Sequence, residues 1–187
     1  MESMVKQLGK IYAGRASGAP ISDLFVTLLS MGLNGYKSLL DKRNNLVVKF
    51  QQRFEQVATN QGERILKCPK NTISFGITLD ELAKDTTDEK EKAEITSMFG
   101  SMLFTRCVSG TRVVSKNQSK KIAGHEFIGF GSSTDGFPHS YLTAACAIGL
   151  SESEMEEFFV RLEKCFKDFR SKMKKKAEKK IQSMNTE

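Results

Sequence analysis

Leu24, Thr27, Leu28 and Met31 recur in steps of three and four, the spacing that lines one face of a helix. Pro20 or Ser22 suits the first turn. Gly32 and Gly35, in "MGLNG", mark an end or a kink. A second run carries Tyr36, Leu39, Leu40, Leu46, Val47, Phe50, Phe54 and Val57 in the same steps, an amphipathic helix of about six turns. The period then changes. "NTISFGITL", residues 71–79, alternates and is rich in β-branched residues, which predicts a strand. From Asp80 to Glu94 seven acidic residues face three lysines, as expected of an exposed loop running into a helix start. Ile95, Met98, Phe99, Met102 and Leu103 then return to helical spacing and form a core stripe.

The remainder predicts a turn and short strand at "VSGTRVVS", a polar hairpin loop at "SKNQSKKIAGH" and a short strand at "HEFIGFGSS". "DGFPHSYLTAACAIGL" is expected to pass from turn to helix, its small residues allowing close packing. Ser151 and Glu154 form a capping box ahead of the last helix. There Met155, Phe158, Phe159, Leu162, Cys165, Phe166, Phe169 and Met173 make one apolar stripe, which Lys164, Lys167, Arg170, Lys172 and Lys174 largely avoid. This order of elements predicts an α+β fold: a small antiparallel sheet covered by helices, closing with a long basic C-terminal helix.

At 187 residues with 39% apolar content and 13 Phe, the chain is long enough for one real core. No run approaches the ~20 apolar residues of a membrane span, and the first twelve residues hold no apolar signal region. Cys68, Cys107, Cys146 and Cys165 are widely spaced and only two histidines accompany them, which argues against zinc and for free thiols in a cytoplasmic protein. The stretch from Arg161 to Lys180 holds ten Lys/Arg and three Asp/Glu, which accounts for the whole net charge of +7. Such an asymmetry suits contact with nucleic acid, or else a solvated helix end.

Nucleotide-binding and hydrolase motifs are absent. What the chain offers instead is arginine beside small residues: Arg15 in "YAGRASGAP", Arg106 in "FTRCVSG" and Arg112 in "SGTRVV". Gly14, Ala16 and Ser17 leave room for an anion at Arg15, whose planar fork matches phosphate. Local pairing or capping by Arg15 is the alternative.

"KIYAGRASGAPISDLFVTLLSMGLNGYKSLL", "GSMLFTRCVSGTRVV" and "FPHSYLTAACAIGL" together resemble, in order, the C-terminal part of the O-phosphoseryl-tRNA(Sec) selenium transferases. The resemblance runs from about Lys10 to Lys172 and is weakest at 44–70, 80–94 and 115–124. It implies a type I pyridoxal 5'-phosphate (PLP) enzyme, tetrameric and cytoplasmic. Such an enzyme converts phosphoseryl-tRNA(Sec) to selenocysteinyl-tRNA(Sec) by eliminating phosphate and adding selenium from selenophosphate. By position, Arg15 would hold the substrate phosphate and Arg106 would recognise the discriminator guanine, with Arg170 and Lys172 on the phosphates of the acceptor arm. Ala13 stands where the family often has proline, and Ser171 where it has a tRNA-contacting lysine, a role open to Lys172 or Lys174.

The resemblance further implies that the Schiff-base lysine and most of the cofactor pocket precede the Arg15 segment. No catalytic residue and no metal ligand is therefore expected in this chain, which would be a fragment. Residues 1–60 would be a helical connector carrying the Arg15 turn, 61–176 a small α+β domain and 177–187 a basic tail. A second expectation is a non-catalytic tRNA-binding or assembly module derived from the same family.

Overall fold

The computed structural model describes residues 2–11, 17–116, 118–132, 134 and 136–184. Four α-helices and six strands run in the order α1 (Glu2–Ile11), α2 (Ala19–Asn60), β1 (Ile65–Leu66), β2 (Ser74–Thr78), α3 (Glu89–Thr105), β3 (Arg112–Val114), β4 (Ser119–Ile122), β5 (His125–Ile128), β6 (Tyr141–Ala145) and α4 (Glu152–Met184). A 3-10 turn, Asp80–Ala83, follows β2. The main sheet has the order β1-β2-β6-β3 and every pair in it is antiparallel. β4 and β5 form a separate two-stranded ribbon. This is the α+β architecture that the residue pattern predicts.

Pro20 opens α2, where a missing N–H costs nothing. The helix kinks at Gly32, whose φ of 62° and ψ of 178° are open essentially to glycine alone. The kink separates two environments. Beyond it Leu46, Phe50, Phe54, Val57 and Ala58 are buried against β2 and α4. Before it Ile21, Leu24, Phe25, Leu28 and Leu29 are exposed, as are Val5, Leu8 and Ile11 of α1.

Asp88 caps α3 by accepting from the Lys90 N–H at 3.0 Å, and Glu89 and Glu91 suit the positive end of the helix dipole. Ile95, Phe99 and Leu103 are buried, with Met98 and Met102 packed beside them. At Gly100 an added Cβ would come within 3.2 Å of Val113 Cβ, so glycine lets α3 lie close on β3. The capping box of α4 is formed: Glu154 N–H donates to Ser151 Oγ at 3.2 Å, and Ser151 N–H donates to Glu154 Oε2 at 2.9 Å. Ser151→Ala is expected to cost about 1 kcal/mol in chemical denaturation.

One face of the sheet packs on the helices. Phe75, Ile77, Leu142 and Ala144 point into a core that the apolar stripe of α4 completes. Phe50 meets Phe75, Phe158 and Phe159, while Phe99 meets Phe166 and Phe169.

Residues 136–150 depart from expectation. Where small residues predict a turn leading into a helix, the structure has β6, the strand paired with both β2 and β3. Leu142, Ala144 and Cys146 point inward while Tyr141 and Thr143 are only half-buried, a period of two. Their small size is used for packing under helices rather than for packing within one. α1 and the two-residue β1 carry no clear signal in the residue pattern, and β4 lies inside the predicted hairpin loop.

Candidate nucleic-acid interface

The end of α3 is built as a fixed platform. Val108 N–H bonds to Leu103 O at 3.1 Å and Cys107 N–H to Phe104 O at 3.0 Å. This is the pair of bonds of a Schellman cap. The left-handed position falls on Cys107, with φ of 57°, where glycine is usual. The strain of ~1–2 kcal/mol that a side chain meets there is offset in part from outside. Arg161 Nη1, on α4, donates to the carbonyls of Arg106 and Cys107 at 3.5 and 3.2 Å.

Arg106 sits at the cap itself. Its Nη1 donates to Met102 O at 3.0 Å, and its Nη2 donates to Asp168 Oδ2 of α4 at 2.8 Å. The guanidinium hydrogen bond holds the Asp168 carboxyl below the usual carboxylate range, and Lys164 and Lys167 act in the same direction. Beneath this pair lies Cys165, buried, its thiol pushed up to about 11 by burial. It is inert as a nucleophile at neutral pH.

Helical geometry divides the cations of α4. Arg161, Lys164, Lys172 and Lys175 stand at seven, four, four and seven residues from Asp168, so they share its side of the helix. Lys172 therefore lies on the same side as Arg106's anchor. Arg170 lies across the apolar stripe, where its Nη2 donates to Gln61 O, the cap of α2, at 2.6 Å. There it closes a helix C-terminus that has no basic residue of its own in the last turn. Arg170, Lys174 and Lys176 also line a cavity of about 740 Å³ whose other wall carries Glu81, Lys84, Asp85 and Glu91.

Of the residues singled out in the sequence, Arg106 and Lys172 are thus brought to one side of α4 and Arg170 to another. Arg15 lies outside the described residues. Arg112 is exposed on β3, which borders only β6 in the sheet. Asp168 and Arg161 were not anticipated. The available signal was that Asp168 is the one acidic residue between Lys164 and Lys176.

Among the described residues no helix is long and apolar enough to cross a membrane, and no group of three or more His, Cys, Asp and Glu could hold a metal ion. All four cysteines are free, Cys68 and Cys107 exposed, Cys146 and Cys165 buried.

The fold and this cationic platform define an α+β module that presents arginine and lysine along one long helix. A crystal structure of an archaeal O-phosphoseryl-tRNA(Sec) selenium transferase shares this fold, with a TM-score of 0.56 at 24% identity over 87% of this chain and 32% of that one. The family model of O-phosphoseryl-tRNA(Sec) selenium transferase, SepSecS, matches residues 1–167, and the chain belongs to that family. It is similar to the enzyme of that name from Dictyostelium discoideum, at 39% identity over 171 residues covering 87% of this chain and 36% of the relative. It is also similar to the one from Caenorhabditis elegans, at 34% identity over 181 residues covering 95% and 35%. The chain thus spans about a third of the length of the curated relatives it matches.

Proposed function

We propose that the chain serves selenocysteine synthesis as a tRNA-contacting part of a transferase that turns O-phosphoseryl-tRNA(Sec) into selenocysteinyl-tRNA(Sec). Family membership supports the substrate and the reaction class. Selenophosphate as selenium donor and a homotetrameric assembly complete this reading. The exposed apolar residues of α1 and the first half of α2 are consistent with association.

The observation that carries the tRNA role is the fixed guanidinium of Arg106 beside the cations of α4. Each terminal nitrogen of arginine bears two N–H groups. With one on Nη1 given to Met102 and one on Nη2 to Asp168, each nitrogen keeps a second. A pair of N–H groups is what guanine O6 and N7 accept. Lys164 and Lys172, exposed on the same side, suit flanking phosphates. Arg15 is assigned the phosphate of the phosphoseryl group, and Arg170 a supporting contact to the RNA backbone.

PLP, which the family resemblance implies, supplies the electron sink for eliminating phosphate. Its holder must be a lysine desolvated enough to be neutral in part. Among the described residues no lysine is buried. These described lysines do not fit that role, and no step through the cofactor is assigned to this chain.

Arg106→Ala is expected to weaken binding of tRNA(Sec) by about 1–3 kcal/mol and to remove the preference for guanine at the discriminator position. Filter binding or fluorescence anisotropy with transcripts differing only at that base measures both. Equal affinities and an unchanged preference would reject the assignment of Arg106.

A further inference from the structure

We propose that Asp168 is the positioning and specificity-determining residue of this interface: it aims Arg106 and keeps it from acting as a phosphate ligand. The proposal rests on the reading of Arg106 as a base contact.

The geometry supplies the first half. Arg106 has a long side chain that would otherwise sample many rotamers. Two acceptors at fixed places, Met102 O at 3.0 Å and Asp168 Oδ2 at 2.8 Å, define the plane of its guanidinium. The acceptors belong to different helices, α3 and α4, so the plane is tied to the packing of one on the other. The main chain carrying Arg106 is held as well, by Arg161 on its carbonyl and on that of Cys107.

Charge supplies the second half. A bare guanidinium takes phosphate at least as readily as a base edge, since phosphate offers a full negative charge and matching geometry. With a carboxylate at 2.8 Å the pair is nearly neutral as a unit. It attracts a phosphate far less than a bare guanidinium does and still offers N–H groups to neutral acceptors. Lys164 and Lys172, one turn to either side of Asp168, are exposed, whereas Asp168 Oδ2 is taken by Arg106 at 2.8 Å. They remain phosphate ligands. The one acid between Lys164 and Lys176 thereby sorts the cations into one that recognises a base and several that hold the backbone.

The test uses the full 187-residue chain, as wild type, Asp168→Asn, Asp168→Glu and Arg106→Ala. The RNA is an acceptor-arm hairpin with either guanine or adenine at the discriminator position, titrated over a range of salt concentrations. Asp168→Asn keeps the shape and removes the charge. It is expected to steepen the salt dependence by about one phosphate contact. The same change should reduce the guanine-over-adenine affinity ratio by about threefold or more. Asp168→Glu is expected to restore both quantities toward wild type, which a role in folding alone would not produce. The proposal is overturned if Asp168→Asn leaves the ratio and the salt slope unchanged while Arg106→Ala abolishes the ratio. If Arg106→Ala itself preserves the ratio, the reading of Arg106 falls, and the proposal with it. Thermal unfolding of each variant verifies that the proteins compared are folded.

Discussion

Phe166→Ala is expected to lower the free energy of unfolding by about 3–5 kcal/mol, a large part of the ~5–15 kcal/mol typical of a domain. Phe166 is wholly buried where α3 crosses α4. Its ring centroid lies 4.6 Å from that of Phe99, which in turn meets Phe169 edge-on at 5.5 Å. Truncation removes the apolar area of one ring and leaves a cavity between two helices that the sheet holds from behind, so collapse is limited. The same two helices carry Arg106 and Asp168, whose contact depends on their packing. Urea denaturation measures the effect as a fall in the midpoint at constant slope. Phe104 provides the control: it is on α3 too, but 75% exposed, and Phe104→Ala should change stability by less than about 0.5 kcal/mol. A Phe166→Ala variant as stable as wild type would contradict the packing described.

Glu63→Ala should cost about 2–3 kcal/mol, because three donors lose one buried acceptor. Its Oε2 accepts from Thr78 Oγ1 at 2.6 Å and from Asp80 N–H at 3.1 Å, and its Oε1 from Glu81 N–H at 2.8 Å. The last two are orphan donors at the start of the 3-10 turn, whose own cap residue, Leu79, has no side chain that could accept them. The effect extends further: Asp80 orients His139 through a 2.6 Å contact to Nδ1 and also accepts from Ser140 N–H at 3.2 Å.

Burial pushes the Glu63 carboxyl above the usual carboxylate range, against the opposing pull of Thr78 and the two backbone donors. Between the ordinary and the raised value the folded protein binds more protons than the unfolded chain. Its contribution is therefore full below the ordinary value and declines as pH rises through the raised one. The gap between wild type and Glu63→Ala should accordingly be widest on the acid side and narrow toward neutral pH. Unfolding curves at several pH values would show this, and a gap that widens with pH would refute it.

How much of this was legible in the chain differs by element. The stripe of α4 and its Ser151–Glu154 cap were legible because both depend on residues within a few positions of each other, and burial then follows the 3.6-residue period. β2 was legible for the matching reason, a run of β-branched residues. β6 was not. Leu142, Ala144 and Ala145 favour a helix by themselves, and pairing with β2 and β3, distant in the chain, decides their state. The interface divides in the same way. Arg106 and the basic run of α4 stand out in the sequence. That Arg170 bonds to Gln61 while Asp168 bonds to Arg106 needs the helix built and packed.

The α+β class, the basic stretch from Arg161 to Lys180 that accounts for the net charge, the apolar stripes and the family can all be read from the chain alone, since each is written in local spacing and residue type. Packing decided that a carboxylate 62 residues away holds Arg106. It alone decided that Arg161 braces the strained turn at Cys107, and that α2 is buried after Gly32's kink but exposed before it. The physical reason is common to these cases. Local patterns fix which face of an element is apolar, but which side chains meet across that face depends on how two elements pack, and the energy of that meeting is shared between residues far apart in the chain.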